Sequence, residues 1–227
     1  MKKLLTTIIF SLFVSCIYSQ QLRQISFAGG SALSSITFLT DQDVLIRVSE
    51  DGKLMEWGIE WKAIQGNYYA PKLQPFPGRV DHYGAEADSS SMGKVKSIGT
   101  CILTYYGLYE PEEKKGKLKT IGSLMLDYYG PYDNAALKGK IRYLGNQALE
   151  YYSSTENEAF RGKLKAVGNT AITYYSTFDD KLIRGKIKSI GNISYSWYTS
   201  LDRIEVRGAL KSGLYRQQVN GVTYILY

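Results

Sequence analysis

The sequence predicts an all-β fold of tandem hairpins, and three observations carry that reading. A heptad, Gly-basic-aliphatic-basic-x-aliphatic-Gly, returns every 23 residues, from Gly93, Gly116, Gly139, Gly162 and Gly185, with a degenerate copy from Gly208. Fixed self-similarity of this kind marks a repeat architecture. Apolar and polar residues alternate on both sides of the heptad's closing glycine, which is the period of a half-buried strand. The segment joining one unit to the next carries turn chemistry rather than helical periodicity. Two antiparallel strands per 23 residues, forming an extended twisted meander, follow from these observations.

The chain divides into four parts. Lys2 and Lys3 precede an apolar run, Leu4 to Val14, and small residues lead to Ser19. Residues 1–19 read as a secretory signal peptide, since the run is shorter than the roughly 20 residues of a spanning helix. The protein is therefore expected to be exported, periplasmic or secreted, and not membrane-spanning. The competing reading is a lipoprotein acylated at Cys16; Phe13, three residues earlier, disfavours it. Residues 20–92 read as an N-terminal β cap with degenerate repeats. Within it, Gly52-Lys53-Leu54-Met55-Glu56-Trp57-Gly58 keeps the glycine spacing of the heptad, and Gly78 to Gly84 is a variant of it. Residues 93–213 are the array. Residues 214–227 read as a C-terminal hairpin cap, because Asn220-Gly221 between two alternating runs is a strong hairpin signal.

With each heptad glycine as position 0, position 2 is Val95, Leu118, Ile141, Leu164, Ile187 and Leu210. Positions 1 and 3 are Lys or Arg with one exception, and alternation places both on the face opposite position 2. After the turn, position 12 is Tyr105, Tyr128, Tyr151, Tyr174 or Trp197. It shares parity with apolar position 10, so Tyr128, Tyr151 and Tyr174 are expected inside. Position 13 is Tyr106, Tyr129, Tyr152, Tyr175 and Tyr198, expected outside beside the basic rows. Position 17 is acidic throughout: Glu110, Asp133, Glu156, Asp179 and Asp202. Turn chemistry, with an ion pair to the basic residue five later, explains these acids; one carboxylate per repeat is thin for calcium.

Electrostatics favour a meander over a solenoid. Stacked like strands would set each cation about 4.8 Å from its own copy, whereas a meander separates the rows by about 10 Å. That exceeds the Debye length of about 8 Å at physiological salt.

Charge and composition narrow the function. Residues 20–91 hold six basic and nine acidic residues, and residues 92–227 hold 20 basic and 12 acidic. The positive field belongs to the array. His82 is the single histidine, which removes His-based metal clusters and disfavours a Ser-His-Asp or Cys-His arrangement; within the Gly78 to Gly84 variant it reads as a strand residue. No phosphate-cradling loop or zinc spacing occurs, so no enzyme activity, cofactor or metal is expected. Without Cys16, Cys101 has no disulfide partner and reads as a small buried hydrophobe. Tyr227 ends an apolar run, as in outer-membrane barrels, but a lipid-facing wall cannot carry the repeat's cations.

The Gly-Lys/Arg-aliphatic step, the Tyr-rich strand and the acidic turn, seen from Tyr129 through Asp133 to Gly139-Lys140-Ile141, resemble YD (RHS-type) repeats. The period is similar to that of MORN repeats, although their Tyr-x-Gly spacing is absent. The resemblance spans Gly93 to about Gly213. It implies a β-hairpin array and no function or site residues.

Two functions are expected. The first is binding of a polyanion or surface glycan, such as lipopolysaccharide, capsule glycan or extracellular DNA. Its residues are Lys117, Lys119, Lys140, Arg142, Lys163, Lys165, Lys186 and Lys188, with Tyr129, Tyr152 and Tyr175 as stacking partners. The second is a structural or protein-interaction scaffold of the cell envelope, in which the cations only keep a long sheet soluble.

Overall fold

The computed structural model describes residues 20–60 and 72–227; the leader read at 1–19, with Cys16, lies outside them. A first set of strands comprises β1 (Gln21–Ala28), β2 (Ala32–Leu39), β3 (Leu45–Val48), β4 (Leu54–Glu60) and β5 (Leu73–Gln74). The array begins with β6 (Val80–His82), β7 (Val95–Ile98), β8 (Cys101–Tyr105), β9 (Leu118–Ile121), β10 (Leu124–Tyr128) and β11 (Ile141–Leu144). It continues with β12 (Gln147–Tyr151), β13 (Leu164–Val167), β14 (Thr170–Tyr174), β15 (Ile187–Ile190), β16 (Ile193–Ser194), β17 (Ser196–Trp197) and β18 (Leu210–Ser212). The last hairpin is β19 (Arg216–Val219) and β20 (Val222–Leu226).

Strands β6 to β16 form one 11-stranded sheet in sequence order, with antiparallel neighbours, so the array is a meander. Each of the five full repeats is a hairpin closed by two residues. In the third, Leu144 pairs with Gln147 across Gly145-Asn146. Gly145 has φ +56°, and its equivalents Gly99, Gly122, Gly168 and Gly191 lie between +53° and +58°. A positive φ at the first central place and a negative one at the second fit a type II′ turn, which glycine adopts without penalty.

The heptad strand does not alternate as expected. Gly139 has φ +74°; its N–H donates to the Tyr129 carbonyl at 2.9 Å, and the Tyr129 N–H donates to the Lys140 carbonyl at 3.0 Å. That reciprocal pair, with a left-handed glycine, is a G1 bulge. A second irregularity follows, because Asp127 pairs with Tyr143 and Tyr128 with Ile141, leaving Arg142 extra. The strand therefore reads in-out-out-in: Ile141 and Leu144 are buried, while Arg142 and Tyr143 face away. The other repeats show the same shift. Near the start of the chain, Ser49, Gly52 and Lys53 make the same bulge on a shorter turn. The segment from Gly78 is not a copy of the heptad; it holds the second half of a repeat in the phase of the array. His82 takes position 12, Tyr83 position 13 and Asp88 position 18, and β6 pairs with β7.

The face of the array that receives positions 2, 5, 10 and 12 is covered by the other large sheet. Its order is β19-β20-β1-β2-β3-β4-β5, with β20 parallel to β1. The N-terminal segment and the C-terminal hairpin thus meet in one layer laid across the array, where the sequence reading put a cap at each end. Ile25, Phe27, Ile36, Phe38, Ile46 and Val48 share one core with Leu118, Ile141, Leu149, Leu164 and Ile187. Backbone bonds seal the contact, as the N–H groups of Ile141 and Ile187 each donate at 2.8 Å, to the carbonyls of Glu50 and Gly30. Gly30 lies against the Trp197 ring and Gly52 against Tyr128, where a side chain would collide. Cys101 is buried, and loss of water pushes its thiol up to about 11. Among the described residues no helix is long and apolar enough to cross a membrane, and no side-chain cluster has metal-ligating character.

Candidate binding face

The bulges send the two basic rows to different places. The position 1 lysines are half-buried and bridge from one repeat to the next. Lys117, Lys140 and Lys163 donate to the carbonyls of Gly139, Gly162 and Gly185 at 2.6 Å, and Lys186 to that of Gly208 at 2.8 Å. Lys94 makes the same bond to Gly116. Each ammonium also lies over the position 12 ring of its own repeat; for Lys117 and Tyr128 the distance to the ring centre is 5.1 Å. Three reach the covering sheet: Lys140 to Glu50 at 3.2 Å, Lys163 to Ser31 at 2.5 Å and Lys186 to the Gly29 carbonyl at 3.2 Å. Burial depresses Lys94, Lys117 and Lys186 and brings Lys163 to about 8. Lys117, Lys140, Lys163 and Lys186 therefore close the seam between the sheets and do not share the outer face with the position 3 row. The sequence placed them there because strict alternation has no provision for an inserted residue.

The position 3 cations do face outward, each over the position 13 tyrosine of the preceding repeat. Lys119 lies 5.5 Å from the ring centre of Tyr106, Arg142 5.3 Å from Tyr129, Lys165 5.2 Å from Tyr152 and Lys188 5.7 Å from Tyr175. Lys96 over Tyr83 and Lys211 over Tyr198 extend the row at either end. Tyr83 went unrecognised because its half-repeat lacks the leading glycine. The tyrosines are not free platforms. Tyr129, Tyr152 and Tyr175 are half-buried, and each hydroxyl donates at 3.0 Å to a carbonyl one repeat on, those of Leu149, Ile172 and Tyr195. Desolvation raises all three phenols. Each of these rings thus orients a cation and offers only part of one side to a ligand.

In the first repeat the expected order is reversed: Tyr105 at position 12 is half-buried, and Tyr106, expected outside, is only 5% exposed. Position 12 is inside in the next three repeats, as its parity requires: Tyr128, Tyr151 and Tyr174 are 2%, 5% and 5% exposed. Position 13 rings pack edge-on against them, Tyr129 on Tyr151 at 6.0 Å and Tyr152 on Tyr174 at 5.9 Å.

Of the expected residues, the structure gathers Tyr129, Arg142 and Lys165 around one shallow depression of about 290 Å³, which Tyr143 and Glu150 also line. Arg142 sits 5.3 Å from the ring centres of both Tyr129 and Tyr143. The face is not uniformly cationic. Lys114 pairs with Asp127, Lys165 with Glu156 at 3.2 Å and Lys211 with Asp202 at 3.9 Å.

The position 17 acids act locally. Asp133 and Asp179 accept the position 14 N–H at 2.6 Å, and Glu156 accepts it at 2.5 Å. The basic residue five later meets the backbone of the acid instead of its carboxylate, as Arg184 donates to the Asp179 carbonyl at 2.9 Å. Position 18 supplies a ladder the sequence reading missed. The Asn134 Oδ1 accepts from Ala136 in its own loop and from Ser154 in the next, both at 3.0 Å. Asp88, Asn157 and Asp180 do the same. The signal was an Asx side chain on the repeat period, interrupted by Pro111.

No family model, curated protein or solved structure matches this chain.

Proposed function

We propose that this is an exported, non-enzymatic repeat protein that binds a polyanion or surface glycan along the outer face of its array. The observation that carries the reading is the position 3 row. It sets a cation at each repeat, about 10 Å from the next, and holds it over a tyrosine ring at 5.2 to 5.7 Å. Pre-oriented side chains lose less freedom on binding, so several weak contacts to one polymer add up. Lipopolysaccharide, capsule glycan and extracellular DNA are the polyanions that an exported protein meets. The loosely matching YD-type repeats fit the same picture of an envelope or secreted module.

Replacing Lys119, Arg142, Lys165 and Lys188 by Gln tests the proposal. Binding to heparin or duplex DNA should weaken, and for DNA each lost phosphate contact should lower the salt slope by about 0.9. Unchanged binding, or no binding by the native protein at low salt, leaves the envelope scaffold. The bonds that tie each repeat to the next favour that second reading, since they serve rigidity and no ligand.

A further inference from the structure

The connections present side chains that neither the core nor the cation row uses. Position 16, at the tip of each loop, is Tyr109, Tyr132, Thr155, Phe178 and Leu201. The four large ones are 103%, 102%, 95% and 94% exposed. Scattered surface apolar residues need no explanation, but a row at one repeat position does. Loops 130–138, 153–161 and 176–184 are stiffened on both sides: the position 17 acid ties the loop to its own start, and the position 18 Asx ties it to the following loop. Loop 107–115, with Pro111 at position 18, is held from the preceding segment by Asp88, which accepts the Leu108 N–H at 3.2 Å. The tips therefore stand at fixed intervals of about 10 Å, two strand spacings.

We infer that this loop edge is a second binding site, and that it takes a neutral linear polysaccharide. Two flat aromatic faces at Tyr109 and Tyr132 match the apolar C–H faces of sugar rings along one chain, and Phe178 with Leu201 extends the track beyond Thr155. Charge selects against the other occupants. Loops 107–115, 130–138, 153–161, 176–184 and 199–207 together hold ten acidic and eight basic residues. A slightly negative edge gives no attraction to anionic lipid or to a polyanion, in contrast to the strands behind it. Exposed aromatics with no net positive field suit a ligand recognised by stacking.

The full-length mature protein tests this by affinity electrophoresis through gels holding hydroxyethylcellulose, a soluble β-1,3-glucan or a galactomannan. At least one should retard it equally at low and high salt. Tyr109→Ala with Tyr132→Ala should weaken that binding by about tenfold or more, with no change in thermal midpoint. Absence of retardation in every polymer overturns the inference, as does full retention by both this pair and Phe178→Ala with Leu201→Ala. Loss of binding to phosphatidylglycerol vesicles in the tyrosine pair, with polysaccharide binding intact, also overturns it and assigns the edge to lipid. The Lys119, Arg142, Lys165 and Lys188 variant should still be retarded, so this site and the cation row succeed or fail separately.

Discussion

Lys140, in the bulge before β11, and Arg142, within β11, stand two residues apart and end on opposite sides of the sheet. Lys140 points into the seam, where it meets the Gly162 carbonyl at 2.6 Å and Glu50 at 3.2 Å. Arg142 lies on the outer face between two tyrosine rings. The difference teaches that a charge repeated with a sequence period is not thereby a surface property. Bulges decide which copies stabilise the fold and which remain available to a partner.

The contrast can be broken most strongly at the tyrosines. Tyr151→Ala should cost about 3 kcal/mol, as large aromatic truncations in a core do, and Tyr152→Ala clearly less because its ring is half-buried. Denaturant midpoints measure both. Equal losses would show that positions 12 and 13 do not divide between core and face.

The basic rows give the next effect. Lys140→Gln removes a charge-assisted bond to a carbonyl and an ion pair, and should cost about 1.5 to 3 kcal/mol. Arg142→Gln gives up exposed cation–π contacts worth about 0.5 to 1 kcal/mol. Chemical unfolding of the two variants should rank them in that order. The reverse ranking would put the seam at position 3.

The smallest effect is in the pH dependence. Lys163 is held at about 8 in the fold against 10.5 outside it. Its burial therefore costs stability below pH 8, and the cost is relieved as pH rises from 8 towards 10.5. Half exposure keeps the gain small. The tyrosines have the opposite sign. Tyr105 and Tyr106 rise from 10.0 to about 12, so the stability they contribute is complete below pH 10 and is lost between 10 and 12. Thermal midpoints should climb slightly from pH 8 to 10 and then fall. Lys163→Met should flatten the climb and leave the fall; a climb unchanged in that variant would assign it to another group.

Hairpins, turn glycines and buried position 12 rings were legible in the sequence because each depends on residues close together in the chain. The inserted residue at position 3 was not. A bulge is a pairing relation between Asp127-Tyr128 and Ile141-Arg142-Tyr143, and alternation along one strand does not encode it. The covering sheet was illegible for a related reason. Its strands carry no period, and contacts such as Lys140 to Glu50 and Lys163 to Ser31 join residues 90 and 132 apart. At the proposed site, the position 3 cations were identifiable by type, but nothing local showed that their position 1 neighbours would leave the face. The loop-tip row was visible as a period; its exposure was not.

Gly52 against Tyr128 and Gly30 against Trp197 mark two points on the array exactly three periods of 23 residues apart. An uncovered repeat protein can gain or lose a unit at little cost, because each unit touches only its neighbours. Here the non-repeating layer acts as a ruler with two fixed marks. Deleting residues 139–161 would bring the marks one unit, about 10 Å, closer together and break the match of one of them with Gly52 or Gly30. Unit number between these marks is thus tied to the two glycine contacts of the cover, and a repeat can be gained or lost without breaking them only outside that interval.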